Sequence, residues 1–177
     1  MQVAVTAVGA DRPGIAAAVA KVLFEHGGNI EDSRMAILGG HFSMMLIVDL
    51  PEDADANAVE RALHGPAQAL ELLVSVRPVA ASTAEPALGA EEYVVSVYGA
   101  DKPGIVFRIS DTLSRHEVNI TDLATRIVEG EPPVYVVLME VVVPKTADIA
   151  AIDADLKTAG ADLDVDVSFH PLEAETL

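Results

Sequence analysis

"GADRPGIA" at residues 9–16 and "GADKPGIV" at residues 99–106 are two versions of one loop, and each follows a short apolar run typical of a strand. In both versions a proline and a glycine precede an isoleucine, and a helical pattern of apolar residues follows. This connection between a strand and a helix decides how each half of the chain begins to fold. Its duplication indicates an internal repeat.

The loop shares with a phosphate-binding loop only the spacing of its two glycines. That motif requires a lysine and then a serine or threonine after the second glycine, to reach the phosphates and the magnesium ion. The chain has Ile15-Ala16 at these positions in the first copy and Ile105-Val106 in the second. The three spaced glycines of the dinucleotide-binding motif are missing as well. The sequence therefore disfavours nucleotide chemistry.

A shift of 90 positions aligns the second half of the chain with the first well beyond this loop. Residues 29–32 and residues 119–122 both read Asn-Ile-x-Asp, for example. The stretch between the two copies consists mostly of small and turn-forming residues, which is typical of a linker. The predicted boundaries are 1–79 for the first domain, 80–91 for the linker, 92–171 for the second domain and 172–177 for a tail.

Each copy predicts six elements in the order strand, helix, strand, strand, helix, strand. The predicted elements are 3–8, 13–26, 29–38, 42–50, a helix from 51–53 onward and 72–79 in the first copy, and 93–98, 104–116, 118–128, 134–143, 147–159 and 163–170 in the second. Gly65-Pro66 is expected to interrupt the second helix of the first copy. The order is typical of an α+β fold, the ferredoxin-like βαββαβ sandwich, here present twice in tandem.

The composition excludes several classes of protein. The chain has 28 Asp and Glu against 11 Lys and Arg, a net charge of −17, which repels nucleic acid, so we expect no direct nucleic-acid binding. It has no cysteine, which excludes disulfides and cysteine nucleophiles. No stretch has the roughly 18 apolar residues of a spanning helix, and the first residues do not resemble a targeting segment. We therefore predict a soluble, cytoplasmic protein without membrane contact.

The repeated loop can also be interpreted chemically. Pro13 suits the first turn of a helix, and Gly14 has no side chain to block approach to the backbone. The free N–H groups of Gly14 and Ile15 would then face outward at the positive end of a helix, where a carboxylate binds. Asp11 offers a negative group for an α-ammonium, or it only caps its own helix. Asn29 offers a donor and an acceptor, or it only satisfies the bend between helix and strand.

With Gly-Ala-Asp-(Arg/Lys)-Pro-Gly-Ile followed by a helix and Asn-Ile-x-Asp, the chain resembles the amino-acid-binding ACT domains, in tandem. Among such pairs without an attached enzyme, it is most similar to the regulatory proteins of the glycine cleavage system, which are transcriptional repressors. In ACT families the ligand commonly lies between this loop of one unit and the Asn-containing strand start of its neighbour. The resemblance thus implies ligand binding by Asp11, Arg12, Pro13, Gly14, Ile15, Asn29, Ile30, Asp101, Lys102, Pro103, Gly104, Ile105, Asn119 and Ile120.

The two predicted sites differ at their edges. Arg12 is replaced by Lys102, and Gly27-Gly28 before the first asparagine is replaced by Glu117-Val118 before the second. The second approach therefore differs in flexibility and charge. Two alternatives are open for the second site: a different ligand or affinity, or no ligand at all.

Nothing in the sequence predicts catalysis. The five histidines lack metal-ligand spacing, and no serine stands in a Gly-x-Ser-x-Gly context. We therefore predict no enzyme activity, no cofactor and no metal. One function that remains is a regulatory protein that binds a small amino acid, glycine or serine favoured, and acts on a partner protein or indirectly on transcription. The alternative is a ligand-free pairing module that assembles a complex through sheet and helix contacts. Both allow a homodimer or pairing of the two domains within the chain.

Overall fold

Each half of the chain folds as its own unit of six elements. The computed structural model describes residues 1–80 and 90–172, and the chain divides into one unit before and one unit after the segment 81–89. Most of the predicted linker and residues 173–177 of the predicted tail lie outside the described residues. The domain boundaries at these places stay a prediction.

The elements follow the predicted order in both units. The first unit contains β1 (Gln2–Ala10), α1 (Ile15–Glu25), β2 (Asn29–Leu38), β3 (His41–Asp49), α2 (Ala56–Leu70) and β4 (Leu72–Pro78). The second contains β5 (Glu91–Gly99), α3 (Ile105–Arg115), β6 (Asn119–Val128), β7 (Val134–Val143), α4 (Ile149–Leu163) and β8 (Val165–Pro171).

A four-stranded antiparallel sheet forms one layer of each unit. The strand order is β2-β3-β1-β4 in the first unit and β6-β7-β5-β8 in the second, and every pair of neighbours is antiparallel. The two helices of each unit pack against one another, and the second helix also packs against the last strand. The predicted ferredoxin-like α+β fold is confirmed in both halves of the chain.

Alternate side chains of the strands build the core of each unit. Successive side chains of a strand point to opposite faces of the sheet, and in β3 every second residue is buried. On the helix side, buried residues recur at helical spacing. The core of the first unit includes Val3, Val5, Ala7, Ile15, Val19, Val22, Leu23, Phe42, Met44, Leu46 and Val48. The second unit has its own core, so each unit buries its apolar residues independently.

The second helix of the first unit continues through Gly65-Pro66, so the predicted interruption is wrong. α2 runs from Ala56 to Leu70 with Pro66 inside it. Proline has no N–H to donate to the preceding turn, and in a helix interior it costs about 3 kcal/mol. Leu63 and Ala67 flank the proline and are buried in the core. Their burial offsets the local cost and holds the helix together.

Aspartate side chains define the starts of the second helices. The Asp55 carboxylate accepts a hydrogen bond from the backbone N–H of Asn57 at 2.9 Å, and this bond lowers the pKa of Asp55. The Asp148 carboxylate accepts from two backbone N–H groups of α4, at 3.0 and 3.1 Å. The predicted start of α2 at residues 51–53 is therefore too early, because the capping aspartate determines where the helix begins.

Pro66→Ala is expected to stabilise the first unit by about 1–3 kcal/mol, because it restores one intrahelical hydrogen bond and removes the clash of the ring with the preceding turn. Denaturant unfolding of the whole chain measures the change. The control is Ala159→Pro at the corresponding place in α4, which is expected to destabilise the second unit. A Pro66→Ala variant less stable than the parent would show that packing of the ring outweighs the helix effect.

Candidate ligand-binding loops

Each repeated loop enters its helix through a glycine in the left-handed region. Gly14 is the N-cap of α1 with φ 94° and ψ −6°, and Gly104 is the N-cap of α3 with φ 96° and ψ −2°. A Cβ on either glycine would meet no atom within 4 Å. The backbone angle, rather than crowding, therefore requires glycine here. The two loops share one conformation although Arg12 is replaced by Lys102.

The helices that follow these loops start without a side-chain cap. The Gly14 carbonyl accepts a hydrogen bond from Ala18 N at 2.9 Å, and the Gly104 carbonyl accepts one from Arg108 N at 2.9 Å. Neither helix has a capping side chain or an acidic residue in its first turn. The first backbone N–H groups of both helices thus have no partner within the helix. A helix start of this kind attracts a carboxylate.

Two expectations about this loop need correction. Asp11 does not cap α1, because the N-cap is Gly14 and no side chain bonds to the helix start. Pro13 precedes the cap and therefore lies outside the first turn of the helix. The same holds for Asp101 and Pro103 at α3. Neither correction removes the free N–H groups.

Asp11 and Asp101 lie on the surface beside these helix starts. The backbone N–H of Asp11 donates to the carbonyl of Gly40 at 3.0 Å, which ties the first loop to the β2–β3 hairpin of its own sheet. Both aspartates are exposed. An exposed carboxylate close to a helix start can accept hydrogen bonds from the ammonium group of a ligand whose carboxylate is bound by the backbone.

Arg12 and Lys102 contact the end of the second helix of their own unit. The Arg12 guanidinium pairs with the Glu71 carboxylate. The Lys102 ammonium donates to Asp164 Oδ2 at 3.1 Å and to the carbonyl oxygen of Leu163 at 3.0 Å. The loop motif does not reveal these acidic partners, because they lie far from it in the sequence. The signal available in the sequence was that both copies place an acid at the end of the second helix.

The last residues of the first strand of each unit pack against the turn that follows the second helix. A Cβ on Gly9 would lie 2.7 Å from the carbonyl oxygen of Glu71, and one on Gly99 would lie 2.6 Å from Cγ1 of Val165. No side chain fits at either distance. The end of the first strand and the turn after the second helix are therefore in direct contact in both units.

Asn29 and Ile30 lie at the opposite end of the sheet from the loop of their own unit. Asn29 pairs with Asp49, which pairs with Gln2 at the start of β1, whereas the loop follows Ala10 at the end of β1. β1 has nine residues, so at about 3.3 Å per residue the two ends are on the order of 25 Å apart. Within one unit the structure does not bring the predicted asparagine and loop together.

The second unit has the same arrangement. Asn119 begins β6 beside Ile120 and pairs with Val142, which pairs with Glu92 near the start of β5. The predicted site residues therefore form two separate groups in each unit, one at each end of the sheet. In the first unit, the Asn29 side chain also donates a hydrogen bond to Glu31 Oε1 at 2.5 Å.

The turn before Asn29 and the turn before Asn119 have the same backbone conformation, although their sequences differ. Each turn between the helix and the asparagine contains a residue with positive φ, Gly27 at 71° or Glu117 at 57°. The next N–H then donates back to Leu23 O at 2.8 Å or to Leu113 O at 3.1 Å. A glutamate in this region costs about 1 kcal/mol more than a glycine. The turn is therefore retained in the second unit at an energetic cost.

A cleft between the second helix and the last strand occupies corresponding places in the two units. Its volume is about 360 Å³ in the first unit and about 410 Å³ in the second. Its lining includes His64, Gln68, Leu72 and Leu73 in the first unit, and Tyr98, Lys157, Asp164 and Asp166 in the second. Sequence patterns do not reveal these clefts, because each cleft exists only once the second helix packs against the last strand.

Residues 1–80 and 90–172 contain no group of His, Asp and Glu side chains placed to hold a metal ion. No helix within these ranges is both long enough and apolar enough to cross a membrane.

The family model of the ACT domain matches residues 1–77 and again residues 91–170. The chain belongs to the ACT domain family. The resemblance to tandem ACT domains that the repeated motif indicated is thus confirmed. The loops described above connect the first strand and first helix of each ACT domain.

Within the family, the chain is similar to a protein with a named function. Over 127 residues the chain is 32% identical to the glycine cleavage system transcriptional repressor of Escherichia coli strain K12, a match covering 72% of this chain and 65% of that protein. The chain therefore spans just under two thirds of this relative's length. The predicted similarity to the glycine cleavage regulators is confirmed at the level of the sequence.

Two solved structures share the tandem ACT fold. One, the crystal structure of an unknown protein from Galdieria sulphuraria, is 28% identical, with a TM-score of 0.79 and coverage of 97% of this chain and 98% of that one. The other was provisionally described as a glycine cleavage system transcriptional repressor; it is 21% identical, with a TM-score of 0.75 and coverage of 98% of both chains. The similarity to this second structure shows that the two chains share a fold.

Gly14→Ala is expected to destabilise the first ACT domain by about 1–2 kcal/mol, because an L-residue is strained at this positive φ. Gly14→Asn is expected to cost less, since asparagine adopts the left-handed region more readily. Urea unfolding followed by circular dichroism measures both. Gly104→Ala and Gly104→Asn should behave alike in the second domain. Equal stability of all four variants and the parent would show that the loops do not hold this conformation in solution.

Proposed function

We propose that the chain is a regulatory protein that binds a small amino acid at the loop between the first strand and the first helix of its ACT domains. The observation that carries this proposal is the uncapped helix start in both domains. Its N–H groups can hold a carboxylate without a cationic side chain. This matters because Arg12 and Lys102 are already paired with acidic residues.

Asp11 and Asp101 supply the complementary charge. Each is exposed and lies three residues before the N-cap glycine. A ligand whose carboxylate is bound by the helix start would place its ammonium group near this carboxylate. Recognition of both charged ends selects an amino acid over a simple carboxylic acid or amine.

The ligand we favour is glycine or serine. The proposed contacts, backbone N–H groups and one carboxylate, recognise only the part that all amino acids share. A ligand with a very small side chain needs nothing more. The similarity to a glycine cleavage system repressor points the same way.

Asn29 and Ile30, and likewise Asn119 and Ile120, belong to this proposal as a second group of contacts. They lie at the far end of their own sheet, so they cannot meet the loop of the same domain. Another ACT domain would have to bring them to the ligand, either the other domain of this chain or a domain of a second copy. The homodimer therefore stays a prediction that sedimentation analysis tests with and without the amino acid.

Regulation is proposed to act through another protein. With a net charge of −17 the chain is poorly suited to contact DNA, because DNA binding depends on neutralising phosphates. The same charge favours a basic protein partner and speeds its association. We therefore infer an indirect effect on transcription, with no direct nucleic-acid contact.

One observation favours the alternative, a pairing module that needs no ligand. The edge strand β2 carries apolar side chains that its own helices leave uncovered, including Met35 at 57% and Ile37 at 54% exposure. Ile127 on the edge strand β6 is 59% exposed. Exposed apolar edge strands pair readily with other chains. In this alternative, assembly itself would be the function.

Thermal unfolding with each of the twenty amino acids separates these functions. Binding to the folded state alone raises the melting temperature in a saturable manner, and we expect glycine or serine to do so. No shift with any amino acid would contradict the sensor and favour the pairing module.

Asp11→Asn and Asp101→Asn are expected to weaken amino-acid binding at their own domain about tenfold, which corresponds to about 1.4 kcal/mol. Each removes the charge that faces the ligand ammonium and leaves the helix start intact. Calorimetric titration measures the affinity. Asp53→Asn, an exposed acid away from the loops, is the matched control and should bind like the parent. Unchanged affinity in both loop variants would rule out the proposed role of these carboxylates.

A further inference from the structure

We propose that Arg12 and Lys102 are positioning residues. Each fixes the ligand-binding loop by pairing with the acid at the end of the second helix, and neither contacts the ligand. The inference rests on the proposed function, because it concerns the same loops. It reassigns two residues that the family resemblance would place among the ligand contacts. We call the two pairs, Arg12 with Glu71 and Lys102 with Asp164, the loop–helix pairs.

The first support is that both domains form the same pair with different residues. Arginine and glutamate in the first domain are replaced by lysine and aspartate in the second. The shorter acid and the different base still meet, with Lys102 Nζ at 3.1 Å from Asp164 Oδ2. A connection built twice from different side chains indicates that the connection itself matters to the loop.

The second support is the backbone conformation of the acids. Glu71 and Asp164 are the C-caps of α2 and α4, with φ of 56° and 54°. Glycine is the residue that occupies left-handed positions at helix ends with least strain. Both domains instead place there an acid whose side chain reaches the loop. The acid therefore provides something that glycine lacks, and the contact it makes is with the loop base.

The third support is electrostatic. The carbonyl end of a helix is its negative end and favours a cation. Lys102 Nζ donates to the Leu163 carbonyl at 3.0 Å, in the last turn of α4. The base thus binds both the helix end and its capping acid, and this ties the loop to the end of the second helix.

These pairs are partly exposed, and this separates their effect on stability from their effect on binding. The Arg12 and Glu71 side chains are 41% and 68% exposed, and such pairs contribute little to folding stability. Their contact still fixes the backbone two residues before Gly14. A preordered loop loses less conformational entropy when the ligand binds. The expected signature is weaker binding with a nearly unchanged melting temperature.

The test follows the amide resonances of Gly14 and Gly104 separately by NMR during titration with glycine and, in parallel, with serine. Arg12→Met and Glu71→Gln are each expected to weaken binding at Gly14 about three- to tenfold and to leave Gly104 unchanged. The reversed pair, Arg12→Glu with Glu71→Arg, should restore the affinity. Arg61→Met is the matched control, because Arg61 forms an exposed pair with Asp55 away from the loop.

A direct contact between Arg12 and the ligand predicts the opposite pattern. Glu71→Gln would then release the arginine and leave affinity unchanged or higher, and the reversed pair would not bind. Either result overturns the inference.

A second measurement needs no ligand. The Asp11 amide is hydrogen-bonded to Gly40 O, and its hydrogen exchange should be faster in Arg12→Met and Glu71→Gln and normal in the reversed pair and in Arg61→Met. If the parent protein binds no amino acid, the proposed function fails, and this exchange pattern alone decides whether the pairs position the loop. Unchanged exchange in both single variants would overturn the inference.

Discussion

Each domain depends on one apolar layer between a sheet face and two helices. In β3 every second side chain enters this layer, and a slip of the register by one residue would turn that set to the other face. The register held in this way places Ala10 beside the β2–β3 hairpin and Asn29 beside Asp49. The position of both groups of predicted site residues, one at each end of the sheet, follows from this packing.

The repeat, the order of elements and the fold could be predicted from the sequence, because they depend on periodicity within short windows and on two copies that agree. The path of α2 could not, since the effect of Pro66 is local whereas the burial of Leu63 and Ala67 depends on the whole domain. The separation of Asn29 from Asp11 had a similar cause. A motif gives the residues of a site, but only the strand register shows at which end of the sheet each residue lies.

The residue types of the motif are enough to predict the loop between the first strand and the first helix. They do not predict which residues from elsewhere in the chain contact that loop. Arg12 and Glu71 are 59 positions apart, and no local pattern connects them. The motif explains Gly14 only in part, because a Cβ there would meet no atom within 4 Å and the positive φ is what requires glycine. The divergence of the two domains lies mostly elsewhere. On the helices of the second domain Arg108 pairs with Asp162, and His116 lies 2.9 Å from Asp155, whereas the loop angles agree within a few degrees.

The charge of the whole chain affects which ligands can reach the starts of α1 and α3, whose first turns have no acidic residue. Their N–H groups carry partial positive charge beside an exposed aspartate, on a molecule whose net charge of −17 repels anions at long range. A molecule with balanced charges approaches such a surface without electrostatic work, whereas a dicarboxylate is repelled before it arrives. Discrimination between neutral and acidic amino acids would thus begin in solution, before any contact forms, and would weaken as salt screens the field.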